Sequence, residues 1–239
     1  PVEPQLPDGW LNPITREEDL PMTSPNWPNG PRSRAIKIKV PMFDSTDTES
    51  MTAAEIAGRR RMLEVLHYFQ AIEKKPWRFD HGPTIIGIRE GHRIVGDYVL
   101  TVADLQAGRE FDDAIARGVF YLDGHKPDDD KRTYILPKEE LYVPPYQIPF
   151  RCLVAKDGKN LLMAGRCMSA EQLALSSARV TTTCSMMGQA AGIAAAMAVE
   201  RNCDIRSIDG LEVRKIVEDR GARLDVRKPA GNLERMHLN

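Results

Sequence analysis

The sequence predicts an α/β fold. Three observations carry that reading. "NLLMAG", 160 to 165, is a short apolar run that ends in glycine, the pattern of a central strand buried on both faces. Two capping boxes, Thr52 with Glu55 and Ser169 with Gln172, each open a helical pattern. The stretch from 180 to 199 then runs for twenty residues without a charge, in a chain that is 28% charged.

That neutral stretch is long enough to cross a bilayer, which takes about 20 apolar residues. Its composition argues against a span. Thr181, Thr182, Thr183, Ser185 and Gln189 are polar, alanine contributes little insertion energy, and no aromatic or cationic flanks mark two interfaces.

At 239 residues the chain can bury a real core, as one large domain or two small ones. A net charge of −1, from 33 basic and 34 acidic residues, leaves no basic footprint for nucleic acid. Cys152, Cys167, Cys184 and Cys203 show no CxxC pairing and lie in apolar or helical settings, which points to free thiols and a reducing cytoplasm. The chain opens at Pro1 without a signal-peptide pattern, as a fragment, a processed chain or one subunit of a split protein would.

Taken in order, residues 1–34 hold eight of the seventeen prolines and read as an extended arm that Trp10 and Trp27 pin, or as a mobile tail. "AIKIKV", 35 to 40, alternates in the period of a half-buried strand. From the Thr52 box a helix runs to about Lys74, with Met62, Leu66, Phe69 and Ile72 along one face and Leu63 and Val65 beside them, and Pro76 ends it. Arg59, Arg60 and Arg61 form a solvated face or a phosphate grip. "TIIGIREGHRIVGDYVL", 84 to 100, reads as strand, turn, strand. Thr101 and Gly108 bracket a short helix. "FDDAIARGVFYLDGH" brings a helical turn and an apolar run, and 126–132 is a loop. "YILPKEELYVPPYQIPFRCLV" is extended, its prolines placing it at edges. Helices follow from the Ser169 box to about Ala178, over "GQAAGIAAAMAVER", and from about Leu211 to Arg220 before Gly221. These divisions give an arm (1–34), a mixed α+β region (35–147) and a C-terminal α/β region (148–239).

Several chemistries are excluded. The sequence holds no GxGxxG, GxxxxGK, HExxH or GxSxG, and Asp123 with His125 reads as a solvated loop pair rather than a metal site. No metal is expected. The informative unit is 160–199: strand, glycine, then a helix expected to start at "MMGQAAG". A helix so poor in bulk lets a flat ligand approach, and free N–H groups at its start would meet an anion or a polarised carbonyl. Tight packing of an Ala/Gly helix on a sheet would use the same residues.

The run "IPFRCLVAKDGKNLLMAGRCMSAEQLALSSARVTTTCSMMGQAAGIAAAMAV", 148 to 199, closely resembles the C-terminal end of the FAD-dependent oxidoreductases related to glutathione reductase and fumarate reductase. "MTAAEIAGRRRMLEVLHYF", "IGIREGHRIVGDYV" and "LTVADLQAGREFDDAIARG" resemble that family's middle region in the same order. The resemblance implies FAD as cofactor, a glutathione-reductase-like FAD/NAD(P)-binding fold, and hydride transfer with a small organic substrate. It implies that Gly165 and Arg166 meet FAD where the chain returns to the cofactor domain. It also implies that Met187, Gly188, Gln189 and Ala190 form a helix start facing the flavin pyrimidine edge. Arg179 is expected near the flavin or a substrate oxyanion; Arg89 and Glu90 face the substrate, or form an arginine–carboxylate lattice.

Two departures stand out. Gln172 occupies the position of the family's histidine, and Thr182 that of a proline. The GxGxxG half that holds the ADP pyrophosphate is not in this sequence. The expected partner is therefore a chain or domain that carries it, in an oligomer, since a half-fold would expose the apolar edge of "NLLMAG". The alternative is a non-catalytic assembly or binding subunit of a flavoprotein complex.

Overall fold

The computed structural model describes residues 9–21, 27–41, 43–125 and 135–226, as a mixed architecture of helices and small antiparallel sheets. That architecture fits the α/β class. Two units divide the chain, one of residues 1–88 with 125–135, the other of 89–124 with 136–239.

In the first unit, β1 (Trp27–Pro28) pairs antiparallel with β2 (Arg34–Ala35) around a turn closed by Asn29 N–H on Ser33 O at 2.9 Å. The strand expected over 35–40 is confined to this pair and an isolated bridge at Ile38, so most of the alternating run is irregular. Helix α1 (Thr48–Ala71) starts before the predicted box. Asp47 caps it by accepting from Ser50 N–H at 2.7 Å, while Thr52 bonds back to the Thr48 carbonyl inside the helix and Glu55 accepts from Ile86 N–H at 2.6 Å. The buried face is also rotated from the expected one. Ala54, Gly58, Val65, Tyr68 and Phe69 are inside, whereas Ile72 is exposed. Leu20, Ile14, Ile36 and Trp77 complete the small core around Val65, Tyr68 and Phe69. Arg60 stacks over Trp10 and Glu64 accepts from Asn12 N–H, which pins the described part of the arm to α1.

The second unit opens in an extended segment rather than the expected strand–turn–strand, with isolated bridges at Gly96 and Leu100 and backbone bonds such as Ile94 N–H on the Cys167 carbonyl and Asp97 N–H on the Val154 carbonyl, both at 3.0 Å. Helix α2 (Val102–Ala107) has the predicted bounds. Thr101 caps it, Asp104 returns the bond, and Gly108 ends it in the left-handed region at φ 59. Strands β3 (Ala114–Gly118) and β4 (Tyr146–Pro149) pair antiparallel with Ala116 opposite Ile148 and Gly118 opposite Tyr146. Gly118 is required there: a Cβ would meet the Tyr146 ring at 2.2 Å. Tyr146 OH lies 2.7 Å from Ser177 Oγ, and Ser177 spends its own proton on the Phe120 carbonyl, so the tyrosine donates. Gln147, also buried, accepts from Phe111 N–H and donates to the Leu224 carbonyl. The core spans Leu100, Leu105, Ile115, Ile148, Leu153, Leu175, Ala194 and Val213.

Helices α3 (Gln172–Ala178), α4 (Thr181–Glu200) and α5 (Gly210–Asp219) follow. Ser169 does not cap α3. Glu171 precedes the helix, and the Ser169 hydroxyl is buried without a partner among the described residues. "NLLMAG" is not a central strand in this unit. One edge bonds to 153–155, with Ala155 N–H on Leu161 O and Met163 N–H on Leu153 O. Among the described residues no backbone bond reaches Leu162 on the other edge, and Leu161 is 42% exposed.

Candidate functional site

The site is assembled at the N-terminal end of α4. Helix α3 closes with Arg179 N–H on the Leu175 carbonyl, extended Val180 turns the chain, and α4 begins at Thr181. This corrects the expected helix start at "MMGQAAG". Gly188, Gln189 and Ala190 lie about two turns inside α4, where their N–H groups belong to the helical ladder and are not free donors. The unladdered N–H groups are those of Thr181, Thr182 and Thr183. They precede the first ladder bond, Cys184 N–H to Val180 O at 2.9 Å, and no side chain caps them. Thr181 and Thr182 are exposed. Sequence reasoning passed over this start because three threonines are weak helix formers and no Ser, Asp or Asn stands at the cap.

The folded junction aims the Arg179 side chain inward, leaving it 8% exposed. Its Nη1 donates to Glu90 Oε2 at 3.0 Å and to the Arg89 carbonyl at 3.4 Å, and its Nη2 donates to the Asp123 carbonyl at 3.1 Å. Arg89 in turn donates to the Asp123 carbonyl at 3.0 Å and forms an ion pair with the Asp123 carboxylate. Gln172, at the start of α3, reaches the second oxygen of Glu90 at 3.3 Å. Burial lowers the Arg179 pKa, and the charge of Arg89 adds to that. Glu90 and Asp123 oppose both, and the guanidinium keeps its charge at any working pH. Arg179, expected near the flavin or a substrate oxyanion, thus meets Arg89 and Glu90 in an arginine–carboxylate lattice that Asp123 and Gln172 complete. In the sequence Asp123 stands as one of a solvated loop pair and Gln172 as the replacement of a histidine, and no local pattern links either to Glu90.

Gly165 and Arg166 reach the same end of α4 through a 3-10 turn, Gly165–Cys167, in which Gly165 takes φ 80. Cys184, in the first turn of α4, faces the open side of that glycine. The remaining predicted residues separate. Met187 and Ala190 are fully buried in the core, while Gly188 and Gln189 face out. With Thr182, Ser185, Gly192, Ala195, Ala196 and Val199 they form an uncharged exposed face, on which a Cβ at Gly188 or Gly192 would meet nothing within 4 Å.

Residues 8–217 match the model of the family described as FAD dependent oxidoreductase. The chain belongs to that family. No curated protein and no solved structure matches it. The cofactor of this oxidoreductase family is FAD. The chain's residues fit one side of that group. The bare backbone at Gly188 and Gly192, the left-handed turn at Gly165 and the uncapped N–H groups of Thr181–Thr183 suit a flat, anionic ring edge. They do not supply a cradle for the pyrophosphate, because the sequence contains no glycine-rich strand–helix turn. Among the described residues of this oxidoreductase, no helix is long and apolar enough to cross a membrane, and no three His, Cys, Asp or Glu side chains gather as a metal site.

Proposed function

We propose that this chain supplies the flavin-facing C-terminal portion of a glutathione-reductase-like FAD enzyme that transfers hydride between a small organic substrate and the flavin. The observation that carries the reading is the exposed, uncharged face of α4 running from the Gly165 turn and the Arg179 lattice along Gly188 and Gly192. A soluble helix normally turns charge to water, so an exposed face without charge is one that something else covers. FAD supplies the hydride acceptor. Thr181–Thr183 would donate to its anionic edge, and Gly165, Arg166, Gly188 and Gln189 would line its approach. Met187 and Ala190 fix the helix from the core side. Arg179 positions Glu90 and Arg89, the groups we place on the substrate side within the 35–147 region.

The second half of the site comes, in this reading, from a chain or domain bearing a GxGxxG turn, held in an oligomer. The unpaired edge of Leu162 supports it, since buried or half-buried backbone groups ordinarily find partners. The four free cysteines favour a reducing compartment such as the cytoplasm. The competing reading, a non-catalytic assembly subunit, is favoured by Gln172, an amide that cannot exchange a proton where the resembling enzymes have histidine.

The visible absorption spectrum of the protein purified from its native source separates these readings. Flavin bands that co-elute with the chain through gel filtration are expected. A colourless protein that takes up no added FAD, alone or with its co-purifying partners, would overturn the enzyme reading.

A further inference from the structure

Two of the four cysteines address the same peptide unit. Cys167 closes the turn Gly165–Cys167 and folds its Sγ back onto the Ala164 carbonyl at 3.5 Å. Cys184 rises from the first turn of α4, and its Sγ would lie 3.8 Å from a Cβ placed on Gly165. Gly165 takes φ 80, and Cys184 lies at ordinary contact distance from its open side, so the turn and the first turn of α4 are neighbours. The Cys167 sulfur therefore sits on the Ala164 carbonyl and the Cys184 sulfur beside Gly165, the next residue, and both cysteines are half-buried. The other two cysteines are set apart from this pair, one by burial and one by distance. Cys152 is fully enclosed in the core, and Cys203 follows the far end of α4, a helix roughly 30 Å long at about 1.5 Å per residue.

We propose that Cys167 and Cys184 are a redox-linked pair that closes to a disulfide in the presence of a low-molecular-weight disulfide oxidant. The thiolate of Cys167 attacks the oxidant's S–S bond, forming a protein mixed disulfide and releasing one reduced thiol. The Cys184 thiolate then attacks the Cys167 sulfur, forms the intramolecular S–S bond and releases the second thiol. The protein loses two electrons and two protons, and the oxidant is reduced to two thiols. Burial raises the Cys184 thiol, the charge of Arg166 opposes, and Cys167 adds to the rise, which suits Cys184 to the second, resolving step. The closed bond would staple the Gly165 turn to α4, at the end of the helix where Arg179 enters.

The test uses the full native chain, oxidised glutathione as probe, thiol alkylation and a tryptic digest. Each cysteine falls in its own peptide: 152–156, 167–179, 180–201 and 202–206. The expected product joins 167–179 to 180–201 and is two hydrogens lighter than their sum, with Cys152 and Cys203 recovered alkylated. It should form at least tenfold faster in the native chain than in the urea-unfolded one. Cys184→Ser should instead accumulate a stable glutathione adduct on Cys167; should that variant fail to fold, Cys167→Ser, which lacks the attacking thiol, should leave Cys184 without adduct over the same time. Separate adducts on both peptides without a cross-link, a cross-link to Cys152 or Cys203, or equal rates in native and unfolded chain would each overturn the proposal. None of these readouts depends on flavin.

Discussion

Replacing Arg179 by methionine keeps the buried aliphatic stem and deletes the guanidinium, which isolates what the lattice contributes. Three bonds are lost. The contact to Glu90 is charge-assisted, a class worth roughly 1.5–3 kcal/mol when enclosed. Glu90 is 38% exposed, so screening and water bring this one down to about 1 kcal/mol. The Arg89 carbonyl loses its bond from Arg179, at about 1 kcal/mol for an under-satisfied acceptor. The Asp123 carbonyl keeps the bond from Arg89, so its loss is roughly 0.5 kcal/mol. The sum is about 2.5 kcal/mol, or a fall of about 1 M in urea midpoint for a slope near 3 kcal/mol/M. Arg179→Lys keeps the charge but cannot span three acceptors, and should recover about half. Urea unfolding followed by far-UV circular dichroism reads the shift, and flavin absorbance after gel filtration reads the cofactor. The reasoning is refuted if Arg179→Met unfolds within about 0.5 kcal/mol of the parent while flavin is lost. Arg179 would then act on the ligand and not as the tie between 89–90 and 123.

Three further perturbations separate fold from site. Gly118→Ala drives a methyl into the enclosed Tyr146 ring and breaks its bond to Ser177, which should destabilise the chain by about 2–4 kcal/mol in thermal or urea unfolding. Asp104 is pushed up by burial. The bonds from Thr101, Arg109 and Tyr98 outweigh that and hold its carboxyl below the usual range. A carboxyl depressed in the folded state stabilises fully above its unfolded value, near 4, and loses that contribution as pH falls through the folded value. Asp104→Asn should therefore lower stability by about 2 kcal/mol at pH 7, with the gap to the parent closing below about pH 4; a gap independent of pH would contradict the assignment. Gly188→Leu meets open space and adds helix propensity, so the isolated chain should be unchanged or more stable by up to about 1 kcal/mol. The same substitution should abolish flavin retention or partner binding in gel filtration, and unchanged retention would remove that face of α4 from the site.

What the sequence made legible was local, and what it hid was set by distant partners. Thr101, Asp104 and Gly108 fix α2 from within eight residues, and its predicted bounds hold. At α1 two cap signals stand five residues apart. Asp47 takes the start because Ser50 lies in register to receive it, while Glu55, the far half of the competing box, is drawn off by Ile86. Strand β3 reads poorly because Ala-Ile-Ala-Arg-Gly has little strand character, and the reason for Gly118 is a tyrosine 28 positions away. The lattice has the same property. Gln172 and Glu90 are separated by 82 residues, Arg179 and Glu90 by 89, so their residue types were visible in the sequence and their meeting was not.

The start of α4 joins both lessons. The family resemblance drew attention to "MMGQAAG" as a helix start, yet the helix begins five residues earlier, where Arg179 is tied down and Val180 is extended. Donors and shape are thereby separated along one helix. The N–H groups able to meet negative charge are at Thr181–Thr183, and the bare surface able to receive a flat ring is at Gly188 and Gly192, about one and a half to three turns further on. A ligand that uses both must lie along α4 rather than end-on to it. That orientation requires the whole uncharged face to be covered at once, and a substitution at Gly192 should therefore weaken retention as a substitution at Gly188 does.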